Sequence, residues 1–297
     1  MLQTICMVTL MVPNVSAVAT AYEQWLDYRI VNRDVVSVEL ARLWQAPHVA
    51  GRAQCWLQPA SGEPVYVRFV EAPLVAGYAP LRTLGWNAVE LLVEDPDALA
   101  ARLADSPFKL IGAPRNLSFS EHVRAMQVIG PAHELLYFTR ITPGKTNFKL
   151  GHAQSFVDRP FIIINGGADL EALRAFYIEH FKLNVSPTSA GRIAVLSRAY
   201  GLDDDTPQKL ALASLPENFA IELDQYPAEV IERPQLTGEL PPGIAMVSFT
   251  LGSLNEVALP WRQAPQAISE WPYDGHRAAV TVGAAGEWIE LIEEKAA

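Results

Sequence analysis

The pattern of apolar and polar side chains reads as strands at residues 4–12, 35–43, 54–58 and 64–70, and a helical period marks residues 15–27 between the first two. Asn14, with Pro13 before it, caps that helix. The run PVYVRFV, Pro64 to Val70, alternates most strongly and closes the unit. The order returns with a strand at 87–93, a short helix from Asp95 and Pro96 to Leu103, and strands near 108–111, 123–129 and 134–140. A third strand–helix pair occupies 160–165 and 169–181, followed by strands near 192–197, 209–213 and 219–224. After the proline-rich loop from Gln225 to Pro242 come a strand at 244–251, a helix from Ser253 to Gln263, and strands near 277–282 and 287–293. The pattern is therefore βαβββ, written four times.

The units recur at a nearly fixed distance. Ile129 to Phe138, IGPAHELLYF, aligns with VGAAGEWIEL from Val282, which places Tyr137 and Glu290 at corresponding positions, 153 apart. Tyr22 and Tyr177, apolar anchors of the first and third helices, stand 155 apart. Self-similarity at one offset means repeated structural units. It divides the chain into an N-terminal domain, 1–141, and a C-terminal domain, 159–297, each of two units, with a linker at 142–158 where Pro143, Gly144 and Lys145 break the pattern.

Composition narrows the function classes. Of 297 residues 50% are hydrophobic and 19% charged, enough for a full core without disordered tracts. A formal charge of −10 and the lack of a basic stripe argue against a nucleic-acid partner. Cys6 and Cys55 form neither a disulfide framework nor a zinc pattern. The opening MLQTICMVTLMV lacks the basic start of a signal peptide, and the repeat uses it as a strand. No run reaches the roughly 18 apolar residues of a membrane span. The expectation is a cytoplasmic protein with no membrane partner, acting on a small molecule as a monomer or homodimer.

Four βαβββ units in two pairs, together with the FYIEHFKL helix (Phe176 to Leu183), the GPAHELLYF strand and GAAGEWIEL, resemble the vicinal oxygen chelate superfamily of glyoxalase I, extradiol dioxygenases and bleomycin-resistance proteins. The resemblance covers nearly the whole chain. It implies an α+β fold of two tandem domains, each a cupped mixed sheet. It also implies metal ligands on the first and last strands of the units, usually His and Glu. Here the first-strand positions fall on Met7, Ala88, Ile162 and Met246, and the last-strand positions on Arg68, Tyr137, Glu222 and Glu290. None is histidine, so the expected cofactor is none, or one divalent ion held by Glu222, Glu290 and His152.

Only the second half keeps both carboxylates, which makes its cup the expected active site. In AIELD, alternation sets Glu222 and Asp224 on one face. The local twofold of the family implies that Glu290 approaches Glu222 across the cup. Carboxyl groups brought together in apolar surroundings hold protons to higher pH and serve as general acid and base. Met246, Trp288, Tyr273 and Tyr226 are expected as walls, with Arg277 binding an anionic group and Asp224 nearby. The competing reading makes Glu222 and Asp224 strand-end carboxylates paired with Arg198 or Arg277, and the aromatic residues core. In the first half, Arg68, Glu90 and Tyr137 are read as structural.

Three functions fit. The favoured one is a metal-independent lyase or isomerase that abstracts a proton from a small aromatic or carbonyl-bearing metabolite, through Glu222 and Glu290. The others are a divalent-metal-dependent dioxygenase or glyoxalase-like enzyme, and a small-molecule binding or resistance protein without chemistry.

Overall fold

The computed structural model of the chain describes residues 1–117, 120–142 and 151–294; residues 143–150 of the expected linker lie outside them. The first unit holds β1 (Leu2–Val12), α1 (Val15–Leu26), β2 (Arg29–Val35), α2 (Val38–Leu43), β3 (Ala53–Gln58) and β4 (Tyr66–Glu71). The second holds β5 (Gly85–Val93), α3 (Pro96–Arg102), β6 (Lys109–Leu117), β7 (Ser120–Ile129) and β8 (Leu135–Ile141). The third comprises β9 (Val157–Gly167), α4 (Leu170–Phe181), β10 (Asn184–Val185), β11 (Ser189–Arg192), α5 (Ala194–Ala199), β12 (Pro207–Ser214) and β13 (Ala220–Gln225). The fourth has β14 (Ile244–Leu251), β15 (Gln263–Ala267), β16 (Arg277–Val282) and β17 (Trp288–Glu293). The class is α+β with two curled mixed sheets, as the βαβββ pattern implies.

Capping explains the helices that the sequence shows clearly. Asn14 accepts from the Ala17 amide at the start of α1, and Asp169 accepts from Glu171 and Ala172 at the start of α4. Both helices end on a residue in the left-handed region, Asp27 and Lys182, whose amides bond back into the last turn.

Three elements differ from the pattern. The expected strand 35–43 is the end of β2 followed by α2, because Ser37 accepts from the Leu40 amide and starts a helix. The expected strand 192–197 is mostly α5, at the corresponding place in the third unit. The expected helix 253–263 shrinks to one 3-10 turn, Leu254–Glu256, before β15.

The pairing of units is the larger correction. One sheet runs β15-β16-β17-β14-β1-β4-β3-β2 and joins unit one to unit four; the other runs β10-β12-β13-β9-β5-β8-β7-β6 and joins unit two to unit three. β1 lies antiparallel to β14, and β5 to β9. Units that follow one another in sequence therefore sit in different sheets, and the cups do not coincide with the segments 1–141 and 159–297. Alternation sets which face a strand buries but not which neighbour it meets, and all four first strands present similar apolar faces. The main core lies between the sheets, where Tyr22, Phe69, Met126, Phe161, Tyr177, Phe249 and Leu291 pack with the helices.

The GPAHE and GAAGE segments stitch this core. After Gly130 the chain turns back, so that the Glu134 carboxylate accepts from the Ala132 amide at 2.8 Å and from Tyr22 Oη of α1 at 2.8 Å. After Gly283, Glu287 accepts from the Ala285 amide at 2.7 Å, from Tyr177 Oη of α4 at 2.9 Å and from Asn165 Nδ2 at 2.8 Å. A Cβ at either glycine would overlap the returning carboxylate, which accounts for glycine there. Each turn thus binds the helix of the preceding unit into the other sheet. Replacing Tyr22 or Tyr177 with Phe leaves a buried carboxyl short of one donor; each change is expected to lower unfolding free energy by about 1–3 kcal/mol in urea titrations.

Candidate active site

The two cups are filled differently. In the one–four cup, Thr9 on β1 stands beside Arg68 on β4, and Ser248 on β14 beside Glu290 on β17. Arg68 is fully buried at the centre. Its Nε and Nη2 donate to Thr9 Oγ1 at 2.9 and 2.7 Å, its Nη1 to Tyr273 Oη at 2.9 Å, and its Nη2 lies 3.6 Å from Glu290 Oε2. Glu290 also accepts from Trp44 Nε1 at 2.8 Å, Tyr273 Oη at 2.9 Å and Ser248 Oγ. The indole face of Trp44 lies 4.6 Å from the guanidinium carbon. Helix α2 brings Leu40, Leu43 and Trp44 into the cup, where Met7, Met246, Trp288, Tyr273 and Val280 complete a packed core.

Glu290 is therefore a structural residue. Met246, Trp288 and Tyr273 are buried wall-to-wall with it rather than lining a cavity, and Trp288 is capped by Arg262 at 3.6 Å from its ring. Arg277 lies at the rim and pairs with Glu293 at 3.1 Å. His152 Nδ1–H donates to the Ile141 carbonyl at 2.7 Å and joins neither carboxylate. Glu222 and Glu290 do not meet, because they belong to different sheets.

The two–three cup keeps an open space. A cavity of about 320 Å³ is lined by Glu90 of β5, Tyr137 of β8, Glu222 of β13, the apolar Ile193, Val195 and Leu210, and polar residues of β6, β7 and β11. Its volume falls in the range of small-ligand sites. Glu90 stands beside Tyr137 across the parallel β5–β8 pair, and Glu222 beside Ile164 across β13–β9. These are the counterparts of Thr9, Arg68, Ser248 and Glu290. The residues level with the last-strand positions are thus Thr9, Glu90, Ile164 and Ser248, two places beyond Met7, Ala88, Ile162 and Met246. Asp224 and Tyr226 lie on the same side further along the chain from Glu222; both are buried, and Asp224 Oδ1 and Tyr226 Oη lack a hydrogen-bond partner among the described residues.

No guanidinium sits among these acids as Arg68 does in the other cup, and their protons are held accordingly. Burial, then the charge of Glu222, pushes Glu90 up to about 8, against a bond donated by Thr139 Oγ1. Burial raises Asp224 to about 7. Burial, then the charge of the adjoining Asp224, raises Glu222 well above the usual carboxylate range. The Tyr137 phenol is raised by burial and by Asp224, Glu222 and Glu90. Of the residues singled out by alternation, the structure unites Glu222, Asp224 and Tyr226, and adds Glu90 and Tyr137 from the other half of the chain. The signal for the latter was present in their strand positions; the partner sheet was not.

No family model matches the sequence, and no curated protein matches it significantly. By structure the chain is similar to glyoxalase I from Zea mays, with a TM-score of 0.64 and 11% identity over 98% of this chain and 92% of that one. It is also similar to a putative dioxygenase from Bacillus subtilis, with a TM-score of 0.62 and 9% identity over 99% and 86%. Both likenesses span both sheets. The chain has the vicinal oxygen chelate fold.

The metal positions of that fold carry a different donor set here. In the one–four cup the place between the strands holds the Arg68 guanidinium, which repels a cation. In the two–three cup the four positions are Glu90, Tyr137, Ile164 and Glu222, with no imidazole and one aliphatic side chain. Among the described residues, no three His, Cys, Asp or Glu side chains gather in a way that would hold an ion. The residues of neither cup fit the family's metal.

Two predictions follow from the contrast between the cups. Arg68→Met strands the Glu290 charge in the core and is expected to cost about 3–5 kcal/mol of stability, with Glu290→Gln in the same background restoring much of it, both by urea unfolding. Glu90 acts with the opposite sign. Below about pH 4.5 it is protonated folded and unfolded; between there and pH 8 only the folded form keeps the proton, so its contribution erodes as pH rises. Glu90→Gln is expected to stabilise by up to about 4–5 kcal/mol near pH 8 and hardly at all near pH 4, read from melting curves across pH.

Proposed function

We propose that this chain is an enzyme that moves protons on a small carbonyl-bearing or aromatic molecule within the two–three cup, a lyase or isomerase reaction in class. Glu222 faces the cavity and acts as the base or acid on the substrate. Asp224, two residues on and buried, raises its proton affinity through its charge. Glu90 supplies the complementary acid or base, and the Tyr137 hydroxyl donates to oxygen on the substrate. The reading rests on one observation: two carboxyl groups, Glu90 and Glu222, line one cavity with no close cation among the described residues, where burial raises Glu90 to about 8 and lifts Glu222 well above the usual carboxylate range. A carboxyl with its proton affinity near the working pH transfers protons in both directions, whereas an ordinary surface carboxylate is too weak a base. Ile193, Val195 and Leu210 give the same space an apolar wall.

The reaction assigned here uses only these side chains. The likeness to glyoxalase I and to the putative dioxygenase supports an enzyme on this fold, while the choice of proton transfer comes from the donor set.

The assignment is tested without knowing the substrate. Carbodiimide activates protonated carboxyl groups, so at neutral pH with an amine nucleophile Glu90 and Glu222 are expected to label ahead of the exposed glutamates, measured by peptide mass spectrometry. Labelling no faster than at exposed Glu23 or Glu179 would remove the reading.

A further inference from the structure

The mouth of the two–three cavity carries the charge opposite to its floor. Arg115 of β6 and Arg192 of β11 line the opening, while Glu90 and Glu222 lie within. A third guanidinium, Arg198 of α5, donates to the Ile111 carbonyl of β6 at 2.9 Å and so ties α5 across the opening. Two aspartates answer these three arginines. Arg198 Nε is 2.7 Å from Asp204 Oδ1, and Arg192 Nε is 2.7 Å from Asp205 Oδ1. Arg198, and beyond it Arg115 and Arg192, hold the Asp204 carboxyl below its usual range. Arg115 itself makes no ion pair within 4.0 Å among the described residues. Arg115 is thus a half-buried guanidinium without a close carboxylate, beside an apolar wall, and its fork is well suited to a carboxylate.

We propose that the molecule received here is a small organic carboxylate, its acid group held at the mouth by Arg115 with Arg192, its far end against Glu90 and Glu222. This deepens the proton-transfer reading and rests on it for the role of the floor. The order of charges makes sense of the whole site. A negative ligand passes the positive rim, lays its hydrocarbon on Ile193, Val195 and Leu210, and meets acids that are not themselves negative. Were the floor fully ionised, two carboxylates would oppose the same ligand. A neutral ligand has no use for the extra guanidinium, and a cationic one is turned away by it.

Calorimetric titration with benzoate, and with benzamide as the neutral isostere, tests this on the intact chain in a buffer free of competing anions. Saturable benzoate binding is expected, at least tenfold tighter than benzamide and weakened by salt. Arg115→Gln is expected to lower benzoate affinity tenfold or more and to leave benzamide unaffected; this rim residue is half-buried on the edge strand β6, so the fold should tolerate the change. Arg192→Gln should produce a smaller loss, since Asp205 already engages that side chain. No saturable benzoate binding, equal affinity for the two probes, or an unaltered benzoate affinity in Arg115→Gln overturns the proposal. Carbodiimide labelling of the free protein separates the two ideas. Fast labelling of Glu90 and Glu222 with no benzoate binding sinks the carboxylate and keeps the proton-transfer reading. Benzoate binding with slow labelling does the reverse.

Discussion

A carboxylate moved out of water into an apolar cup must find a cation, find donors, or keep its proton. Both cups of this chain face that constraint, and each meets it differently. In the one–four cup, Glu290 has a guanidinium, an indole N–H and two hydroxyls around it. The result is a closed, fully bonded network, and α2 seals it with Trp44. In the two–three cup, Glu90 and Glu222 lie at the floor with Asp224 buried nearby, Thr139 donates to Glu90, and among the described residues no cation sits between them, so protons do the work that Arg68 does on the other side. The same sheet architecture thus yields a filled structural core in one place and a chemically poised cavity in the other.

That division also explains why Arg68 is more than a substituted ligand. Its guanidinium, carried by β4, occupies the space between four strand positions, donates to Thr9 on β1 and to Tyr273, and pairs with Glu290 on β17 across the cup. A side chain tethered in this way holds two units together without any bound group. The two–three cup lacks such a brace; there the sheet is joined chiefly through the long β5–β9 pairing, and space remains for a ligand.

Much of the fold was legible because it depends on local rules. The strand alternation at 244–251, the Asn14 and Asp169 caps, and the recurrence of GPAHE as GAAGE all report short-range chemistry. The two short helices α2 and α5 read as strands because six residues are too few to show a helical period, and only the Ser37 cap distinguishes the first. The site was half legible. Glu222, Asp224 and Tyr226 follow from one strand's alternation, but Glu90 and Tyr137 reach them only through the pairing of β5 with β9, a contact between units that no local pattern encodes. Glu290 was misplaced for the same reason: its strand position is right, and its sheet is the other one.

The pairing of β1 with β14 has a bearing on how the chain acquires its structure. Thr4 and Thr250 bond to each other although 246 positions separate them. The sheet of units two and three brings together segments that leave the ribosome in succession, whereas β1 must wait, its hydrogen-bonding edge bare, until the fourth unit has been made. Loop closure over such a span is slow to reward the chain, and a strand rich in Val, Leu and Met, paired with β4 on one side only, offers its open edge to neighbouring chains meanwhile. The poised cavity is thus the portion that assembles early, and the braced, chemically silent cup is the late clasp that locks the molecule shut.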